Sequence, residues 1–277
     1  MGRAKRIPYG VSDFIDIIER NQYYVDKTMY IPKLEDEPDA LFFIRPRRFG
    51  KSLFISMLRA YYDIKRKDKF DKLFGNLWIG SHPTENQGKY QVLFLDFSKI
   101  GGSIDQLEEN FNAYCNECID SFIETYQEYY PERVVESVLK AKTAARKLNA
   151  IGIAAEKMNL PLYLIVDEYD NFTNVVLNEQ GEEVYTALTH ASGFYREIFK
   201  VFKGMFSKIF MTGVSPVTLD DLTSGFNIGW HISTKPAFNQ MLGFSTEDVR
   251  ELFTYYKENG EIRPDSDVEA IINEMKP

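Results

Sequence analysis

An apolar run, Leu41-Phe42-Phe43-Ile44, leads into Arg45-Pro46-Arg47-Arg48-Phe49-Gly50-Lys51-Ser52. Apolar residues then recur at helical spacing, at Leu53, Phe54, Met57, Leu58 and Tyr61. A buried strand, a turn, Gly-Lys-Ser and a helix, in that order, form the context that a phosphate-binding loop requires. Backbone N–H groups at the helix start point at an anion, and the helix dipole adds to the attraction. Lys51 would reach the outer phosphates of a nucleotide, and the Ser52 hydroxyl would sit on Mg²⁺. Arg47, Arg48, Phe49, Gly50 and Leu53 complete the expected cradle.

One position departs from the general pattern. A glycine is expected five residues before Gly50, where the backbone closes on phosphate at positive φ. Arg45 stands there instead, and Pro46 pushes it towards an extended conformation. A bare Gly-Lys-Ser also turns up in ordinary surface loops, so a second site has to decide between the two readings.

Residues 161–168, Pro-Leu-Tyr-Leu-Ile-Val-Asp-Glu, are a candidate for that site: an apolar strand with two adjacent acids at its end. One carboxylate at a strand tip, Asp167, can hold Mg²⁺ through water while its neighbour, Glu168, polarises the attacking water. The plainer alternative is a strand that ends in a polar turn. A further strand, from Lys208 to Met211, ends in Thr212-Gly213-Val214-Ser215-Pro216. In open parallel sheets ligands bind beyond the carboxyl ends of the strands. Thr212 and Ser215 would then face the crevice of Lys51 and Asp167, where a hydroxyl can orient water or sense the γ-phosphate.

Composition narrows the classes. The length of 277 residues suits one large α/β domain, or one with a small appendage. A hydrophobic content of 44% describes a globular chain. The net charge of -8 argues against a dedicated nucleic-acid coat, although a local basic patch could still act. The N-terminus carries Arg3, Lys5 and Arg6 without an apolar h-region, and no apolar run approaches membrane-spanning length. Two cysteines make no disulfide framework, and the chain reads as cytoplasmic, with no membrane partner.

Elsewhere the expectations are structural. Ser12 is expected to cap a short helix through Ile18, and Asp26-Lys27-Thr28 the next, with Tyr30, Ile31 and Leu34. This segment reads either as a lid or nucleoside pocket, or as an arm packed on the core. Lys65-Arg66-Lys67-Asp68-Lys69 reads as a solvated face before a nucleic-acid contact. Gln91 to Phe97 is a second buried strand. A long helix places Leu107, Phe111, Tyr114, Cys118, Phe122 and Tyr126 on one face. Cys115 and Cys118 lack the partners for a zinc site and read as buried helix residues. A mostly helical stretch from Pro131 to Asn159 has Val134, Val135, Val138 and Leu139 on its apolar side. Helical spacing resumes at Val184, Leu188, Phe194, Ile198, Val201 and Phe202, and residues 226–232 read as a fifth strand. Ser245 caps a helix with Val249, Leu252, Phe253 and Tyr256. The last pattern, Val268, Ile271, Ile272 and Met275, has little left to pack against, as if the natural chain continued.

Several strings together resemble one family: Pro8-Tyr9-Gly10 with Asp13-Phe14, Tyr24-Val25-Asp26-Lys27-Thr28, Arg45 to Ser52, Val166-Asp167-Glu168-Tyr169-Asp170, Thr212 to Pro216, and Met241-Leu242-Gly243-Phe244. The chain resembles the bacterial AAA-ATPase-like domain proteins, a divergent branch of the P-loop ATPases, from about residue 6 to about 256. The resemblance implies an αβα three-layer sandwich with a mostly parallel central sheet and helical additions. Its phosphate-loop strand lies centrally, beside the strand that ends in Thr212. It implies an N-terminal arm over 1–39 packed on an ATPase core over 40–235, and a helical C-terminal extension starting at 236–277. By resemblance Lys51 and Ser52 take the Walker A roles, Asp167 and Glu168 the Walker B roles, and Thr212 the sensor role, with ATP and Mg²⁺ as ligands. Members usually carry a nuclease-like C-terminal domain of the restriction-endonuclease fold. The expected activity is Mg²⁺-dependent ATP hydrolysis as a conformational switch; the alternative is a module that binds nucleotide without turnover, or one that associates with nucleic acid. The Arg45, Arg47 and Arg48 cluster reads as a trans-acting finger, a DNA-backbone contact or a set of salt bridges, and a homo-oligomer stays open.

Overall fold

The computed structural model describes residues 4–101, 106–171, 194–215 and 229–275. Among them five strands form one sheet: β1 (Ala40–Ile44), β2 (Gln91–Asp96), β3 (Leu162–Asp167), β4 (Lys208–Gly213) and β5 (Trp230–His231). Their order is β2-β3-β4-β1-β5, and every pair is parallel. The strand that enters the Gly-Lys-Ser turn is thus flanked by β4, which carries Thr212, as the resemblance implies.

The helices are α1 (Phe14–Glu19), α2 (Tyr30–Glu35), α3 (Lys51–Tyr62), α4 (Phe70–Phe74), α5 (Leu107–Thr125), α6 (Glu132–Lys140), α7 (Ala144–Met158), α8 (Phe194–Met205), α9 (Thr246–Glu258) and α10 (Val268–Met275). Alternation along the strands sorts them into two outer layers. Phe42, Leu164, Val166, Ile209 and Met211 join one apolar cluster with residues of α5, α7 and α8. Leu41, Phe43, Tyr163, Ile165 and Phe210 join the other, with residues of α1 to α4. A parallel sheet covered on both faces needs such continuous apolar strands, and β3 is buried at all its positions.

Residues before β1 are built into the second cluster. Phe14 is fully buried, its N–H donates to Ser56 Oγ at 2.9 Å, and its ring stacks on Phe74 at 4.9 Å. Several local expectations shift. Asp13, not Ser12, caps α1, its carboxylate accepting from the N–H groups of Ile15 and Asp16. Asp26 does not cap α2, because its carboxylate is taken by Thr28 and by the N–H of Trp78 at 2.6 Å. Cys115 and Ile119 lie at the centre of the buried face of α5, with Tyr114 and Cys118 at its edge. Leu139 is exposed while Val138 is fully buried, since α6 presents only a narrow stripe. Ser245 caps α9 as expected, in a capping box with Asp248. Ile272 of α10 does find cover, at 3% exposure, in contact with α9. Val184, Leu188, Pro216 and residues 226–228 lie outside the described residues.

Candidate functional site

The parallel register brings the carboxyl ends of β1, β3 and β4 to one edge. Phe43 pairs with Thr212, Ile44 with Gly213, and Val166 with Met211. The turn after β1 and the acidic tip of β3 therefore lie on either side of the end of β4.

The loop avoids the missing glycine by starting its turn later. Arg45 continues the ladder, its N–H donating to the carbonyl of Gly213 at 3.2 Å. Its guanidinium turns back onto the carbonyls of Ile44 and Ser233, at 3.0 and 2.9 Å, and lies 4.5 Å over the Phe43 ring. Positive φ appears only at Arg48 (68°) and Gly50 (86°), and Gly50 is the N-cap of α3. Arginine at position 45 thus fits the extended conformation that Pro46 imposes.

Lys51 opens α3 and is buried, at 5% exposure. Its ammonium donates to the loop's own carbonyls, Arg45 at 3.0 Å and Pro46 at 3.2 Å. Beside it, the exposed Ser52 donates through Oγ to Asp167 Oδ2 at 2.6 Å. Asp167 is 3% exposed, and its Oδ1 accepts from Thr212 Oγ1 at 2.5 Å and from the Glu168 N–H at 3.0 Å.

Glu168 is half-buried at φ 51°, a left-handed backbone that costs a non-glycine residue on the order of 1–2 kcal/mol. Such strain is characteristic of functional positions. Burial pushes its pKa above the ordinary carboxylate value; the charges of Lys51 and Arg47 oppose that rise, and Asp167 and Asp170 add to it. A carboxylate of this kind, close to a cation and half out of water, is suited to proton transfer.

Of the expected site residues, Lys51, Ser52, Asp167, Glu168 and Thr212 come together. Thr212, at 1% exposure, turns its hydroxyl onto Asp167 and not towards an open crevice. Arg47 reaches Asn171 Oδ1 at 3.3 Å, while Arg48 and Phe49 are exposed on the loop and Leu53 packs half-buried against the core. Among the described residues none of Arg45, Arg47 and Arg48 pairs with a carboxylate.

Sequence reasoning assigned nothing to Asp170. It is buried, and its carboxylate accepts from the N–H groups of Val214 and Ser215, at 2.9 and 2.5 Å. Tyr169 adds a bond from its hydroxyl to the Ser215 carbonyl at 2.9 Å. A third acid just beyond Asp-Glu was the available signal. Gly213 is required by close approach: a Cβ there would meet the Tyr169 ring at 2.5 Å and Asp170 Oδ1 at 2.6 Å.

Other candidates fall away. Cys115 is buried and its thiol pKa is pushed up by burial. Among the described residues no cluster of three or more His, Cys, Asp or Glu could hold a metal ion. In the basic run Lys65 pairs with Glu128 at 2.5 Å and Arg66 with Asp63 at 3.5 Å. No described helix is long and apolar enough to cross a membrane.

Comparison with known proteins adds three findings. The model of the family described as "Predicted AAA-ATPase" matches residues 8–223. The "Uncharacterized protein in vnfD 5'region" of Azotobacter chroococcum mcd 1 is 26% identical over 267 residues, covering 90% of this chain. This chain spans 45% of that relative's length. The solved structure of the ORC2 protein of Aeropyrum pernix, in ADPNP–ADP complexes, aligns at 12% identity with a TM-score of 0.36, over 93% of this chain and 57% of that one.

Proposed function

This chain belongs to the predicted AAA-ATPase family, and on that footing we propose that it binds ATP with Mg²⁺ and hydrolyses it, as a conformational switch acting on an attached or partner domain. One contact carries the proposal: the 2.6 Å bond from Ser52 Oγ to Asp167 Oδ2 joins the Gly-Lys-Ser turn to an acidic strand tip 115 residues away. A surface tripeptide with no ligand has no need of such a partner.

Mg²⁺ would be held by Ser52 and Asp167, since a hydroxyl and a carboxylate are the hard oxygen donors that this ion takes. Bound there, it would offset the negative charge of the outer phosphates. Lys51 would exchange the neutral carbonyls of Arg45 and Pro46 for charged phosphate oxygens, a stronger set of acceptors. The N–H groups from Arg47 to Leu53 form the rest of the cradle, and Arg47 and Arg48 add positive charge around it. Glu168 is the general base: burial raises its pKa and so strengthens it as a proton acceptor, while the charge of Lys51 opposes that rise. Thr212 acts through Asp167, holding that carboxylate in place, and is a positioning residue. The nuclease-like domain that the family resemblance implies is the proposed target of the switch.

Calorimetric titration with ATP–Mg²⁺ and phosphate release test this on the parent, Lys51→Ala and Glu168→Gln. The parent should bind and turn over, Lys51→Ala should lose binding, and Glu168→Gln should bind without releasing phosphate. A parent that binds but never releases phosphate overturns the hydrolysis in favour of a binding module; a parent that does not bind overturns both.

A further inference from the structure

Two phenylalanines have large exposed faces, one on the loop and one bonded to it through its neighbour. Phe244 is 71% exposed and Phe49, immediately before Gly50, is 43% exposed. A single exposed apolar side chain needs no explanation, but these two are joined. The Gly243 N–H donates to the Phe49 carbonyl at 3.0 Å, and Gly243 sits at φ 77° against the Phe49 ring, where a Cβ would be 3.2 Å from the ring edge.

The turn that carries Phe244 is fixed on both sides. Before it, Met241 and Leu242 are buried. After it, Ser245 and Asp248 form a capping box, and Asp248 pairs with Lys27 at 2.6 Å, with both side chains largely out of water. Phe244 thus presents an apolar ring to solvent from a rigid mount, bonded through its neighbour to the proposed phosphate cradle.

A cradle of N–H groups and one ammonium recognises phosphate alone. The other end of a nucleotide is a flat, weakly hydrated base, and aromatic faces take such bases by stacking. We propose that Phe49 and Phe244 form the base-stacking rim of this site, so that the ligand is a nucleoside triphosphate and not a polyphosphate alone. This inference rests on the nucleotide-binding function proposed above.

Phe244 is the cleaner probe, because Phe49 belongs to the loop itself. Calorimetric titrations of the parent, Phe244→Ala and Phe244→Trp would use ATP–Mg²⁺ and, separately, Mg²⁺ tripolyphosphate, with thermal melts to verify folding. Phe244→Ala should lose roughly tenfold in ATP affinity and nothing for tripolyphosphate, and Phe244→Trp should retain ATP affinity. An equal loss for both ligands, or no loss for ATP, overturns the rim while leaving the phosphate site standing. A parent that binds neither ligand overturns both.

Discussion

Ser52 and Thr212 donate to the same carboxylate, yet their removal should have opposite consequences. Thr212→Val keeps the branched shape and deletes a hydroxyl that is 1% exposed and bonded to Asp167 at 2.5 Å. Loss of a hydrogen bond to a charged group costs about 1.5–3 kcal/mol. The methyl group that takes its place returns up to about 0.8 kcal/mol of burial. The net loss is about 1–2 kcal/mol. Unfolding entropy near 2.1 cal/mol/K per residue, over 277 residues, turns this into a fall in Tm of about 2–3 °C. Ser52→Ala deletes the other side-chain donor, but from an exposed residue that water can replace, so its cost should stay within about 0.5 kcal/mol. Calorimetric melts without nucleotide or metal would compare the two. With ATP–Mg²⁺ the order should invert, Ser52→Ala losing most of the Mg²⁺-dependent affinity. If Ser52→Ala melts as low as Thr212→Val in the ligand-free protein, Thr212 does not hold Asp167 from within the core.

Two further perturbations act at the same strand tips. Burial raises the Glu168 pKa above its ordinary 4.5, so the folded state favours the protonated acid; its stability is full below that value and falls as pH rises through the raised one. Glu168→Gln escapes this loss, so its Tm should exceed the parent's at about pH 8 and converge with it near about pH 4; a gap that does not narrow on acidification would contradict this. Gly213→Ala drives a methyl into Tyr169 and Asp170 at 2.5 and 2.6 Å, which should cost about 1–3 kcal/mol. Urea unfolding at parental stability would show that the two strand tips give way freely.

Much of the frame was legible along the chain. Runs of apolar residues such as Leu162–Val166 are buried on both faces, so continuity alone marked them as central strands. Gly50 and the apolar spacing after it marked the turn and α3, because positive φ and a 3.6-residue period are local demands. Local chemistry also misled where the choice depended on distant partners. Asp26 looked like a helix cap, but the N–H of Trp78, 52 residues on, had the stronger claim. Arg45 looked like a defect because the template assumes a turn at that residue, whereas the ladder to Gly213 carries the strand one step further.

By itself the chain determined which segments become parallel strands and which residue types stand at their ends, since periodicity, glycine and proline act within a few residues of each other. Only the tertiary structure decided what those ends do together. Asp167 receives Ser52 from the start of a helix 115 residues away and Thr212 from a strand 45 residues away, and Asp170 spends its charge on the turn after β4. Pairings of that range are set by strand order and register, through hydrogen bonds and packing that no local pattern encodes.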